Sequence, residues 1–176
     1  NITYTLEMPN VEVREAFISN LFGEYSGYAV EKASILADTM REQAANMDAK
    51  EFEKSLKTLF AQIPYKLYIN SESYYHTMFL LMMSLLGFKV QGERETNLGK
   101  IDAVWEQEKF TLVMEIKYSH KKSKEKLIEE AMEQIKEKRY YESYMNKPVI
   151  LIAIGFSAKE NKDRLTEIGC KFEKIQ

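Results

Sequence analysis

The sequence predicts an α/β domain preceded by a helical segment, and two observations carry that prediction. Downstream of residue 65 the patterns read helix, three strands, helix, strand. The last of these strands, residues 149–156, is an almost unbroken apolar run, as expected of a strand buried on both faces in the middle of an α/β sheet.

The elements follow in order. Residues 2–8 read as a short strand that ends at the turn Pro9-Asn10. Val13, Phe17, Leu21 and Phe22 recur at helical spacing within 11–22, and Gly23 and Gly27 close that helix. Residues 29–45 repeat the pattern through Val30, Ala33, Ala37 and Met40. Residues 51–63 repeat it again through Phe52, Leu56, Leu59, Phe60 and Ile63, with Pro64 as the stop. No polar side chains converge on these helices, so residues 1–65 read as a packing and connecting extension.

Residues 66–176 read as the α/β domain. A helix opens at Asn70-Ser71, both good caps, and runs through Tyr75, Met78, Phe79, Met82 and Leu85 to Gly87. Residues 88–95 form a strand and 96–99 a turn. Residues 100–106 and 110–118 are strands joined by the short polar link 107–109, which predicts a hairpin. A long helix over 123–144 starts at Ser123, with Leu127, Ala131 and Ile135 along one side. After the apolar strand, residues 171–175 add an edge strand. Trp105 and the methionines at 78, 82 and 83 read as core.

Composition narrows the function. At 176 residues, 45% of them hydrophobic, the chain suits one domain with a real core. Twenty-five basic residues against 27 acidic ones leave a net charge of −2, which excludes a protein that coats nucleic acid; any DNA contact must be local. The single cysteine, Cys170, excludes an internal disulfide and a cysteine-rich zinc cluster and fits a reducing, cytoplasmic setting. The longest apolar run, 78–88, is far short of the roughly 20 residues of a membrane span, so no membrane partner is expected. Residues 2–15 carry acids in place of a basic start and apolar block, so no signal peptide is expected. The chain opens on Asn1, and we expect it to be a segment of a longer protein.

The chemistry concentrates on the hairpin. Side chains alternate across a strand, so Thr111, Val113, Glu115 and Lys117 share one face while Leu112, Met114 and Ile116 share the other. On the preceding strand Asp102 and Val104 lie opposite to Ile101, Ala103 and Trp105. A tight hairpin brings Asp102 within about one residue of facing Glu115, and directly opposed Cβ atoms lie about 4.5–5.5 Å apart. Two carboxylates that close repel each other unless a cation sits between them. Mg²⁺ or Mn²⁺, which take carboxylate oxygens, suit the gap. Lys117, roughly 7 Å further along the same face, can orient or deprotonate a water that attacks a phosphodiester. The competing reading is an ordinary charged face of a hairpin, because E-x-K alone is a weak pattern.

The residues Gly99-Lys100-Ile101-Asp102-Ala103-Val104 and Glu115-Ile116-Lys117, set in that order of elements, resemble the PD-(D/E)XK nuclease superfamily, with Ile101 in place of the proline. The stretches 71–76 (Ser-Glu-Ser-Tyr-Tyr-His), 93–99 (Glu-Arg-Glu-Thr-Asn-Leu-Gly), 133–140 (Glu-Gln-Ile-Lys-Glu-Lys-Arg-Tyr) and, more loosely, 9–13 resemble a bacterial group in which this domain lies C-terminal to an ATPase-like domain. The resemblance implies a three-layer α/β/α restriction-endonuclease-like core, αβββαβ, and a Mg²⁺- or Mn²⁺-dependent deoxyribonuclease. Asp102 and Glu115 are the implied metal ligands.

The resemblance also implies that Glu72 reaches the metal through water, that Gln134 helps hold the site, and that Tyr140 belongs to the same motif. The residues themselves leave Glu72 open as a favourable first-turn charge and Gln134 as a helix-edge polar group, and helical spacing brings Tyr141 nearer than Tyr140 to the face of Gln134. His76, one turn after Glu72, reads as a packed or partner-bonded histidine before it reads as a ligand. Lys121, Lys122 and Lys124, with Lys126, Lys136, Lys138 and Arg139 further along, are the expected grip on DNA phosphates, against a reading in which Glu125, Glu129, Glu130 and Glu133 pair with them. The rival overall is a catalytically silent nuclease-like module that binds DNA or protein beside the ATPase-like domain. A homodimer is compatible with either.

Overall fold

The computed structural model describes residues 30–61, 63, 69–86, 88, 90–96, 99–158 and 167–175. The expected strand at 2–8, the helix at 11–22, the stop at Pro64 and the middle of the turn at Asn97-Leu98 lie outside the described residues.

Among the described residues three helices come first: α1 over Val30–Ala45, α2 over Ala49–Phe60 and α3 over Glu72–Leu85. Two of them begin where a short polar side chain can accept a free first-turn N–H. Asp48 takes that of Glu51 at 3.1 Å and Ser71 that of Tyr74 at 3.2 Å. Three strands follow, β1 (Val90–Thr96), β2 (Gly99–Glu106) and β3 (Thr111–Ser119), then helix α4 (Lys124–Lys138), β4 (Val149–Ser157) and β5 (Glu167–Ile175). They form one five-stranded mixed sheet in the order β1-β2-β3-β4-β5. β1, β2 and β3 run antiparallel as a meander, β4 lies parallel to β3, and β5 returns antiparallel to β4. A parallel neighbour needs a long crossover, which α4 supplies.

Every residue of β4 is buried, as its unbroken apolarity predicts. Its side chains feed two clusters. Ile150, Ile152, Ile154 and Phe156 join Leu112, Met114 and Ile116 of β3 beneath α1, α2 and α3, while Leu151 and Ala153 join Val113 and, from α4, Ala131, Met132 and Ile135. The first cluster holds Met40, Leu56, Phe60, Tyr75 and Phe79 together with the sheet, so the helices of the N-terminal segment share its core. Phe60 and Tyr75 both lie against Phe156, with ring centroids 4.8 and 5.1 Å away. α2 also reaches β5, where Phe52 meets Phe172 edge-on and the buried Cys170 thiol donates to the Ala49 carbonyl.

Three expectations need correction. The long helix over 123–144 ends at Lys138, because Arg139 adopts a left-handed conformation (φ 51°) that breaks the α-helical ladder, and Tyr140–Tyr144 continue as a 3₁₀ turn that buries Tyr144. The edge strand expected at 171–175 is nine residues long, Glu167–Ile175. Its first half contains Gly169, a poor strand residue that here allows the Ile128 side chain of α4 to approach closely. Ile101 joins the cluster of Val104 and Val113, whereas Ala103 and Trp105 join the other, so the expected common face of Ile101, Ala103 and Trp105 is broken at Asp102.

Gly155 fixes the height of α4 above the sheet. A Cβ there would lie 2.9 Å from the Lys124 carbonyl oxygen and 3.0 Å from Leu127 Cβ, both on the helix. Gly155→Ala should therefore cost about 1–3 kcal/mol through overpacking, read as a lower urea midpoint at unchanged slope.

Candidate active site

The antiparallel pairing of β2 with β3 runs from Glu106↔Thr111 to Ala103↔Met114 and stops there. The next step in that register would oppose Asp102 and Glu115, the two acids expected to converge. Their strands open at this point, and the Asp102 carboxylate enters the opening. Its Oδ2 accepts the backbone N–H of Ile116 at 2.8 Å, which takes the place of a ladder bond. The link between the strands is four residues, 107–110, one longer than expected, and this settles a register that the sequence left within one position.

Glu115 is 1% exposed. Its Oε1 accepts a hydrogen bond from Lys117 Nζ at 2.9 Å, and its Oε2 is buried with no hydrogen-bond partner among the described residues. Burial pushes the carboxyl up from 4.5 to about 7, and the neighbouring negative charges of Asp102 and Glu72 push the same way. The Lys117 ammonium opposes them and loses. For Lys117 the balance is reversed: burial pulls its amine down, but the hydrogen bond and charge of Glu115, with Glu72 and Asp102 behind, outweigh it and leave the pKa above 10.5. Lys117 is therefore a fixed cation at neutral pH, and Glu115 is the group whose charge is costly.

Helix α3 closes this end of the sheet. Glu72, exposed in its first turn, accepts the Tyr118 N–H of β3 at 3.3 Å. His76, one turn on, bonds the Asp102 carbonyl oxygen of β2 through Nε2 at 2.9 Å. The partner-bonded reading of the histidine is the one realised. Neither this contact nor the anchoring N–H of Ile116 was foreseen, because backbone atoms leave no mark in side-chain patterns.

The other expected site residues are less tightly gathered. Gln134 is half-buried on α4 beside Ala131, with no hydrogen bond to the acidic residues among those described. The side chain of Tyr140 lies outside the described ones. Lys122 bonds both carboxylate oxygens of Glu130 at 2.8 Å, and Lys124 lies 3.6 Å from Glu53. Lys121 is exposed and, among the described residues, has no carboxylate partner.

Among the described residues no three His, Cys, Asp or Glu side chains form a ready-made metal-binding group. Asp102 and Glu115 form a pair. An unpartnered buried carboxylate oxygen beside a second carboxylate is a donor set of hard oxygens, and it fits a divalent cation such as Mg²⁺ or Mn²⁺ that takes its remaining ligands from elsewhere. A model of the PD-(D/E)XK nuclease superfamily matches residues 70–167, more than half of the chain. The chain belongs to this superfamily. The match begins beside Ser71, the cap of α3, and reaches the first residue of β5, so it contains Asp102, Glu115 and Lys117. PD-(D/E)XK members are in general nucleases and typically use divalent metals. Among curated proteins and among solved structures, nothing matches the chain. No described helix is long and apolar enough to cross a membrane.

Proposed function

We propose that this chain is a Mg²⁺- or Mn²⁺-dependent nuclease domain that hydrolyses phosphodiester bonds in DNA, on a three-layer α/β/α restriction-endonuclease-like core of order αβββαβ. The supporting observation is Glu115: a carboxylate in the core, one oxygen without a partner among the described residues, beside a second carboxylate and an amine. A purely structural role would leave that oxygen paired, because an unsatisfied buried acceptor costs about 1–3 kcal/mol.

Asp102 and Glu115 would hold the cation, which when bound supplies Lewis acidity toward water and phosphate. The chain's own residues do the rest. Ile116 N–H fixes Oδ2 of Asp102 and so orients the carboxylate. Lys117, charged at neutral pH, donates hydrogen bonds to the attacking water or to the phosphate and offsets negative charge there; its raised pKa favours orienting over deprotonating. Lys121, exposed just after β3 and without a carboxylate partner among the described residues, supplies a phosphate contact. The motifs at 71–76, 93–99 and 133–140 support a place C-terminal to an ATPase-like domain.

The silent-module reading is favoured by one observation, the absence of a three-ligand group among the described residues. One experiment separates the two. The purified chain is offered supercoiled, linear duplex and single-stranded DNA, with RNA in parallel, in Mg²⁺ and in Mn²⁺. The nuclease reading expects cleavage of DNA that stops on chelation. Binding of DNA or of a protein partner, with no cleavage of any substrate in Mn²⁺, would establish the silent module.

A further inference from the structure

We propose that His76 is a positioning residue for the acidic site: its Nε2–H holds the Asp102 carbonyl, and that grip keeps β2 turned so that the Asp102 carboxylate points into the opening between β2 and β3. The inference rests on the metal-site reading above.

Three independent features meet at Asp102. The pairings of β2 with β1 cover Gly99–Ile101 and Ala103–Trp105, those with β3 begin at Ala103, and Asp102 is in neither set. The strand's alternation slips at the same residue, since Ile101 and Ala103 pack into different clusters. The β1–β2 register is identical on both sides, so no residue has been inserted; the backbone is turned locally. Asp102 is also the residue whose carbonyl receives the histidine.

A carbonyl can only accept, so Nε2 carries the hydrogen. The bond comes from a helix lying against the sheet, and in a regular strand the carbonyl would point in the sheet plane toward a neighbouring strand. Without His76 this carbonyl loses the donor that holds it out of the ladder. β2 is then free to recover its alternation, which swings the carboxylate away from Ile116 N–H. Glu72 binds Tyr118 N–H of β3 from the same helix, four residues earlier, so α3 grips both strands where they part. Of the two grips, the one from His76 falls on the ligand-bearing residue itself.

The test measures Mn²⁺ affinity of the full chain by titration and electron paramagnetic resonance, beside kinetics on DNA. His76→Leu should weaken Mn²⁺ binding about 10–100-fold and lower kcat at unchanged KM. His76→Gln, whose amide N–H can reach the same carbonyl, should stay within a few-fold of the parent. Asp102→Asn is the control. If it binds Mn²⁺ like the parent, the metal-site reading fails. If it loses Mn²⁺ while His76→Leu does not, or if His76→Gln loses as much as His76→Leu, only the role of His76 is overturned. Nitrogen-15 NMR of the parent decides the matter even where a variant does not fold: the imidazole should carry its hydrogen on Nε2 and protect it from exchange, and a ring protonated on Nδ1 alone would refute the inference.

Discussion

Lys117→Ala should lower the rate of DNA cleavage by about 10²–10³-fold while the chain stays folded, the usual cost of removing one fixed donor from a site that stabilises developing charge. The fold should survive for a reason specific to its partner. Removing one member of a buried ion pair costs about 3–5 kcal/mol when the other stays charged. Glu115 need not stay charged, because burial and the neighbouring acids already hold its pKa at about 7. Losing the ammonium raises it further, and the carboxyl takes up a proton. The urea midpoint of Lys117→Ala should therefore fall little at about pH 6 and clearly more at about pH 8.5. Asp102→Ala should lose cleavage at least as completely, and it also leaves the Ile116 N–H without its 2.8 Å acceptor. If both variants cut DNA at the parent rate, the chemistry lies elsewhere.

Much of this site was legible in the sequence because side chains alternate regularly along β3. Glu115 and Lys117 had to share a face, and the Leu112/Met114/Ile116 set had to take the other. The depth of β4 was legible from its unbroken apolarity. What escaped was whatever depends on backbone atoms or on distant side chains. A left-handed Arg139 at the end of α4 carries no glycine or asparagine to announce it. Glu130 beside Lys122 was among the pairings that the sequence offered, whereas Glu53 beside Lys124, 71 positions away in the chain, was not. The slip at Asp102 leaves no trace in a pattern of apolar and polar residues, since the same letters describe a regular strand. The candidate site was thus readable as a set of side chains, while the contacts that aim them were not.

Glu115→Gln should make the metal-free chain more stable at about pH 8, by up to about 3 kcal/mol, and less stable than the parent once Mn²⁺ is added. The first half follows from linkage. A carboxyl lifted from 4.5 to about 7 is disfavoured in its charged form in the fold, and the lift corresponds to about 3 kcal/mol. Its contribution to stability is fully present below pH 4.5, where it is protonated in both states, and is lost as pH rises through 7. Glutamine keeps the shape and stays neutral, so the variant's advantage should grow from zero below about pH 4.5 to its full size above 7. The second half follows from mass action. A cation that binds only the folded chain adds about 4.1 kcal/mol at a thousand times its Kd, more than the variant's advantage of about 3 kcal/mol. The parent gains this and the glutamine variant does not, so Mn²⁺ should reverse their order. Thermal or urea melts of both proteins, with and without the ion, read the reversal directly. A glutamine variant less stable than the parent at pH 8 without metal would mean that the contact with Lys117 outweighs burial. The acid would then be a structural partner of the lysine, and the carboxylate pair would have no need of a cation.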